Sequence, residues 1–348
     1  MINISSGNVR SRIIGIYGLL AVVNIGAWTW AIVALHDKPI LLGTAFLAYT
    51  FGLRHAVDAD HIAAIDNVTR KLMQEGKRPL SVGFFFSLGH STIVVVLSLI
   101  VYMSASAFQN QLDSVKDIGA VIATSISAFF LIAIALVNII ILRGVWRSFQ
   151  EVRKGGRYAD QSLDMLLGGG ILARILRPLF RTISRPWHMY PVGFLFGLGF
   201  DTATEAAILG MSAAAATKGL SVGSMAVFPA LFTAGMTLVD TTDGVLMVGA
   251  YGWAFVKPIR KLYYNLTITF VSVLVALIVG GIEAVGLVKD QFNLTGGVWD
   301  FIGTLNDNFG PLGFVIISVF ILSWIGSMIF YRIKGYDRLE ASTQPIGD

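Results

Sequence analysis

Residues 55–61 read His-Ala-Val-Asp-Ala-Asp-His, inside a stretch otherwise apolar enough to cross a membrane. Two imidazoles and two carboxylates thus lie where ionisable groups are costly and rare. They do not serve stability. His and Asp together are also a donor set for a divalent metal.

The surrounding chain is membrane-like. It has 348 residues, 55% hydrophobic and 14% charged, where a soluble domain has about 25% charged residues. Its mean hydropathy is +0.72. Runs of about 20 apolar residues mark helical spans. Eight are expected, over 13–35, 40–65, 80–103, 118–142, 189–215, 223–254, 262–288 and 309–331. The expected fold is an all-α polytopic membrane protein forming a single transmembrane domain. Spans 1–4 lie in 1–142, a cytoplasmic loop in 143–188, spans 5–8 in 189–331 and a cytoplasmic tail in 332–348. The stretch 13–35 is too long for a signal-peptide core and is read as a retained first span.

The net charge of +5 does not point to nucleic acid. With the N-terminus in the cytoplasm, 21 of the 26 Lys and Arg fall on the inner side. They lie in the N-terminal tail, 70–78, 143–185, 257–261 and 332–338. Only Lys38, Lys116, Lys218 and Lys289 fall outside, and Arg54 lies within a span. This positive-inside bias places both termini in the cytoplasm and the chain in the cytoplasmic membrane. Contact with anionic lipid accounts for the rest of the basicity. With no cysteine, neither a disulfide nor a thiolate metal site can form.

The loop 143–188 carries Arg174, Arg177, Arg181 and Arg185 on one helical face, after Gly168-Gly169-Gly170. A basic amphipathic helix on the inner leaflet is expected, kinked at Pro178.

A weak internal repeat is more informative. DADHIAAI (58–65) resembles DTATEAAI (201–208), and each follows Phe-Gly-Leu (51–53 and 196–198). FSLGHSTI (86–93) resembles FTAGMTLV (232–239). Spans 2–3 thus resemble spans 5–6. An offset of three spans turns one unit over in the membrane. Such an inverted-topology repeat is a common plan of secondary transporters, with the site near the midplane at the repeat interface.

The polar groups of four spans converge at one depth. His55, Asp58 and His61 follow at spacings of three, so they line one helical arc. Asp60 then faces another helix, or span 2 is locally unwound. Arg54 is the structural partner expected for Asp58 if the segment has no metal role. Span 3 offers His90 beside Gly89. Span 5 offers Asp201 and Glu205, four apart, and span 6 offers Asp240 and Asp243, three apart. Carboxylates this close repel unless they are protonated or share a cation. Glu283 in span 7 has no polar neighbours in sequence and is read as structural. Met236, in the repeat position of His90, is read as packing.

Three histidines and six carboxylates near the midplane suit a divalent cation that must shed water, and protonation of the acids offers a way to release it. The residues alone imply a transition-metal transporter. Nitrogen and oxygen donors fit Ni²⁺ and Co²⁺, and also Zn²⁺ or Mn²⁺. An intramembrane metalloenzyme is disfavoured. Five histidines are too few for a desaturase-type di-iron site, and His-Glu-x-x-His is absent. An exporter is disfavoured by the lack of a His-rich loop.

RHAVDADHI (54–62), FSLGHS (86–91), LGFDTATE (198–205) and GMTLVDTTD (235–243) resemble the four signature motifs of the NiCoT nickel/cobalt transporters. The resemblance covers the whole eight-span plan. Ile93 stands where valine is usual. The resemblance implies high-affinity uptake of Ni²⁺ and/or Co²⁺ across the cytoplasmic membrane, with no ATPase subunit and no cofactor. By residue matching, the functional positions are His55, Asp58, Asp60, His61, His90, Asp201, Glu205, Asp240 and Asp243. Val57, between the ligands of the first motif, is a candidate for tuning metal preference.

Overall fold

The computed structural model describes residues 7–104, 109–153, 183–198, 203–254, 258–306 and 308–333. Within them the chain is helical, with no strand. The helices are α1 (Gly7–Leu35), α2 (Pro39–His55), α3 (Ala59–Gln74), α4 (Val82–Ser104) and α5 (Gln109–Arg153). Next come α6 (Met189–Phe196), α7 (Ala203–Thr217), α8 (Val222–Met225) and α9 (Val227–Ala254). The chain continues with α10 (Pro258–Gln291), α11 (Gly297–Asn306) and α12 (Phe309–Ile333). Asp201 and most of the expected loop helix lie outside the described residues; its last part, Ile183 to Arg185, is described and is not helical, Arg185 being in extended backbone before Pro186.

Among the described residues, six helices are long and apolar enough to cross a membrane. A seventh span is formed if α2 and α3, bent by 51°, are taken together. The expected single span 40–65 is therefore two helices with Ala56, Val57 and Asp58 between them. The expected span 189–215 appears as α6 and α7, on either side of 197–202. The short α11, with Val298 and Phe301 exposed, was not foreseen.

Two apolar clusters hold the bundle. One joins Ile62, Val68, Phe86, Phe130, Phe196, Val279 and Ile316. The other joins Leu35, Ala48, Ile208, Phe228, Phe232 and Met236, which bears out the packing role of Met236. Between lipid-soluble helices, association rests on close van der Waals contact, and here glycines provide it. A Cβ on Gly52 of α2 would stand 2.1 Å from the Phe232 carbonyl oxygen of α9. One on Gly89 of α4 would stand 2.0 Å from the Tyr190 carbonyl oxygen of α6. Only hydrogen fits at either crossing.

Helix α3 lies at the centre. Every residue from His61 to Met73 is buried, including Asp66, Asn67, Thr69, Arg70 and Lys71. This corrects the charge count above, which placed Arg70 and Lys71 in a loop. The helix runs nine residues past the expected end of its span, so both cations are inside the bundle. Buried polar groups need partners. Asn67 Oδ1 accepts from Arg70 (3.0 Å) and from Asn138 of α5 (2.7 Å). Lys71 Nζ donates to the Ile183 carbonyl (2.5 Å) and Lys77 Nζ to that of Ser184 (2.7 Å). Glu283 of α10 is buried and accepts a 2.9 Å bond from Ser127 of α5, in keeping with a structural role.

Candidate metal site

The break between α2 and α3 builds the site. Helix α2 ends at His55, and the next three amides turn back onto nearby carbonyls: Ala56 N on Gly52 O, Val57 N on Arg54 O and Asp58 N on His55 O. Asp58 then occupies the N-cap of α3 in extended backbone. An aspartate there ordinarily accepts a hydrogen bond from the first turn of the helix. Asp58 makes no such bond. Its Oδ2 instead lies 2.8 Å from His55 Nδ1. The local capping preference has given way to the histidine: Asp58 pairs with His55, where a segment with no metal role would pair it with Arg54. Val57 is half-buried at the break, and its carbonyl oxygen would stand 1.6 Å from a Cβ on Gly313 of α12.

Three imidazoles meet at this break. Ring centres of His55 and His61 are 4.7 Å apart, and each lies 4.9 Å from that of His90. Each offers a ring nitrogen within 4.8 Å of the others. Their exposures are 2%, 0% and 3% for His55, His61 and His90, so the site is closed to solvent.

The acids divide into two roles by geometry. Asp58 Oδ2 faces His55 Nδ1 at 2.8 Å, an arrangement that, with the imidazole donating through Nδ1, turns Nε2 toward the centre as the metal-binding nitrogen. Asp240 of α9 does the same for His61, with Oδ2 3.2 Å and Oδ1 3.4 Å from Nδ1. His61 Nε2 is buried without a hydrogen-bond partner. Carboxylate-to-imidazole pairs of this kind fix the tautomer and orientation of metal-binding histidines. Glu205 of α7 is different. Its Oε1 lies 2.9 Å from His90 Nε2 and 3.8 Å from His55 Nε2, and the two Nε2 atoms are 3.1 Å apart. At metal–ligand lengths of about 2.1 Å, neighbouring octahedral ligands stand about 3.0 Å apart. The His55 Nε2–His90 Nε2 and His90 Nε2–Glu205 Oε1 distances match that spacing, and the His55 Nε2–Glu205 Oε1 distance of 3.8 Å is longer.

The structure therefore unites His55, Asp58, His61, His90, Glu205 and Asp240. Asp60 is half-buried in the first turn of α3 and stands outside this hydrogen-bonded set. Asp243 is half-buried, a turn beyond Asp240 on α9, with its buried Oδ2 lacking a hydrogen-bond partner. Two contributors were not picked out from the sequence. Ser87 Oγ donates a 2.6 Å bond to Asp240 Oδ2, and Thr204 Oγ1 lies 3.3 Å from His55 Nδ1. The spacing of Ser87, three before His90 on one helix, is the signal that would have found it.

Comparison with known proteins places the chain among metal-ion transporters. The high-affinity nickel transport protein of Cupriavidus necator is 58% identical over 337 residues, covering 97% of this chain and 96% of the relative. The nickel transporter NicT of Mycobacterium tuberculosis is 45% identical, covering 90% and 84%. The cobalt transport protein NhlF of Rhodococcus rhodochrous is 41% identical, covering 84% of each. No solved structure matches the chain. The family described as high-affinity nickel-transport protein matches residues 41–330, and the chain belongs to that family.

Proposed function

We propose that this chain carries Ni²⁺ and/or Co²⁺ into the cell across the cytoplasmic membrane as a secondary transporter, with the metal as cargo and no ATPase subunit. Membership of a transport family sets enzymes aside. The relatives named for nickel and for cobalt supply the two candidate ions. The observation that carries the reading is the closed meeting of His55, His61 and His90 with Glu205 within the membrane-spanning bundle. In this reading His55, His90 and Glu205 ligate the ion, His61 joins through Nε2, and Asp58 and Asp240 orient the rings. Asp60, Asp201 and Asp243 act along the ion's path.

The bundle is read as eight spans with both termini cytoplasmic, α6 and α7 forming one interrupted span. Two features support the inverted repeat. Helices α2 and α6 end at or just after the two Phe-Gly-Leu segments, α2 at His55 after 51–53 and α6 at Phe196 of 196–198. The close crossings also exchange partners. Gly235 of α9 packs on Tyr49 and Leu53 of α2, and its repeat mate Gly89 packs on Tyr190 and Phe194 of α6. Discontinuous helices at a repeat interface are where such carriers place their ion.

The test is uptake of radiolabelled nickel by cells expressing the chain, against His55→Ala at equal expression, with excess cobalt as competitor. Saturable uptake, abolished by His55→Ala and suppressed by cobalt, is the expected result. Uptake equal to that of cells lacking the chain would overturn the import reading.

A further inference from the structure

Helix α4 carries hydroxyl side chains at Ser87, Ser91, Ser98 and Tyr102. Spacings of four, seven and four put them on one helical face, a file about 22 Å long at 1.5 Å per residue. Its two ends are engaged. Ser87 donates to Asp240, the carboxylate that holds His61. The Tyr102 hydroxyl donates to the Leu220 carbonyl, just past α7.

The middle of the file is unusual. Ser91 is 2% exposed and Ser98 is fully buried, and neither hydroxyl has a hydrogen-bond partner. Ser212 and Ser272, by contrast, return the hydroxyl to the carbonyl one turn back, at Ile208 and Ile268. Ser327 of α12 is the other buried serine without a partner among the described residues, and it is the one such serine on its helix. A buried hydroxyl without a partner carries an uncompensated desolvation cost and calls for a function or a visiting ligand. Val94 of the same face packs with Ile208, Leu220, Met225 and Phe228 in the second apolar cluster. A file of hydroxyls in such a setting can exchange bonds with the water shell of a cation. It lacks the carboxylates that would trap a divalent ion on the way.

We propose that this face of α4 is the route by which the hydrated cation reaches the histidines from outside, shut in this conformation by the Tyr102–Leu220 contact. The inference rests on the orientation given above, which puts the Tyr102 end of α4 at the outer surface.

The chain has no cysteine, so a single introduced thiol is read without background. Ser98→Cys is compared with Val96→Cys, whose parent side chain is 44% exposed on the opposite face of α4. A membrane-impermeant maleimide is added to intact cells. Because reaction needs a thiolate in contact with water, position 98 should react about tenfold faster than position 96, and Ni²⁺ should slow it. Adding Tyr102→Phe should raise the rate at position 98 several-fold. Equal rates at 98 and 96, or a rate at 98 indifferent to both Ni²⁺ and Tyr102→Phe, overturns the route. Lys77→Cys, at the far end of α3, reports orientation separately. Labelling there in intact cells would place the failure in the orientation and not in the hydroxyl file.

Discussion

Ser87 of α4 and His61 of α3 grip the same carboxylate: Asp240 Oδ2 accepts from Ser87 Oγ at 2.6 Å and faces His61 Nδ1 at 3.2 Å. The serine thus fixes the histidine without touching it. Outer partners of this kind are worth about 10- to 100-fold in metal affinity. Ser87→Ala should raise the KM for nickel uptake by about tenfold and leave the maximal rate closer to that of the parent. An unchanged KM would mean that Asp240 is held by other contacts.

Asp58 gives a cleaner separation of affinity from stability. Loss of a working N-cap costs about 1 kcal/mol, but Asp58 makes no cap bond. Its carboxylate is committed to His55. Asp58→Asn should therefore weaken nickel binding by about tenfold or more while the melting temperature of the purified protein stays the same. A matching fall in both would return Asp58 to a structural role.

His90 and Glu205 are in direct contact at 2.9 Å, and contacting residues do not act additively. His90→Ala and Glu205→Gln should each reduce uptake strongly, and the double variant should lose no more than the worse single one. Losses that multiply in uptake assays at equal expression would separate the two residues into different steps.

These pairings differ in how far the sequence reveals them. His55 and Asp58 lie three apart, so their contact follows from helical spacing alone. The helix break between them is one of the two alternatives that the placing of Asp60 leaves open, and Ala56 and Val57, which carry no breaker and fit a continuous apolar helix, do not decide it. His61 and Asp240 are 179 residues apart, and only tertiary packing chooses Asp240 over the other carboxylates as its partner. Ser87 is hidden for another reason. A hydroxyl in an apolar helix usually satisfies itself on the preceding turn, so nothing marks the one that also reaches out. Arg70 and Lys71 were misplaced because charged residues signal a loop by composition, while here α3 is sheathed by other helices and carries them inside. The count of up to seven spans among the described residues, against eight expected, leaves out α6 and α7, which are each too short to cross a membrane alone.

The glycine crossings make the sharpest stability forecast. Gly89→Ala would set a methyl 2.0 Å from the Tyr190 carbonyl oxygen, and overpacking of this kind costs about 1–3 kcal/mol or more. Gly281→Ala, with nothing within 4 Å of the added carbon, should be neutral or stabilising by up to about 1 kcal/mol through helix propensity. Thermal melting of the two variants in detergent checks the contrast. A tolerant Gly89→Ala would show that α4 and α6 can separate without penalty.

The burial of the three histidine rings sets a pace as well as a place. With exposures of 2%, 0% and 3%, an ion held on these nitrogens, as proposed, neither arrives nor leaves until the groups that cover them move. Each delivery then waits on an opening of the bundle, and where helices take part in it the microsecond-to-millisecond scale of collective motion keeps the rate below that of an open pore. A cell needing more metal must therefore make more copies of the chain, since a steeper gradient will not hurry one that is already turning over at its limit.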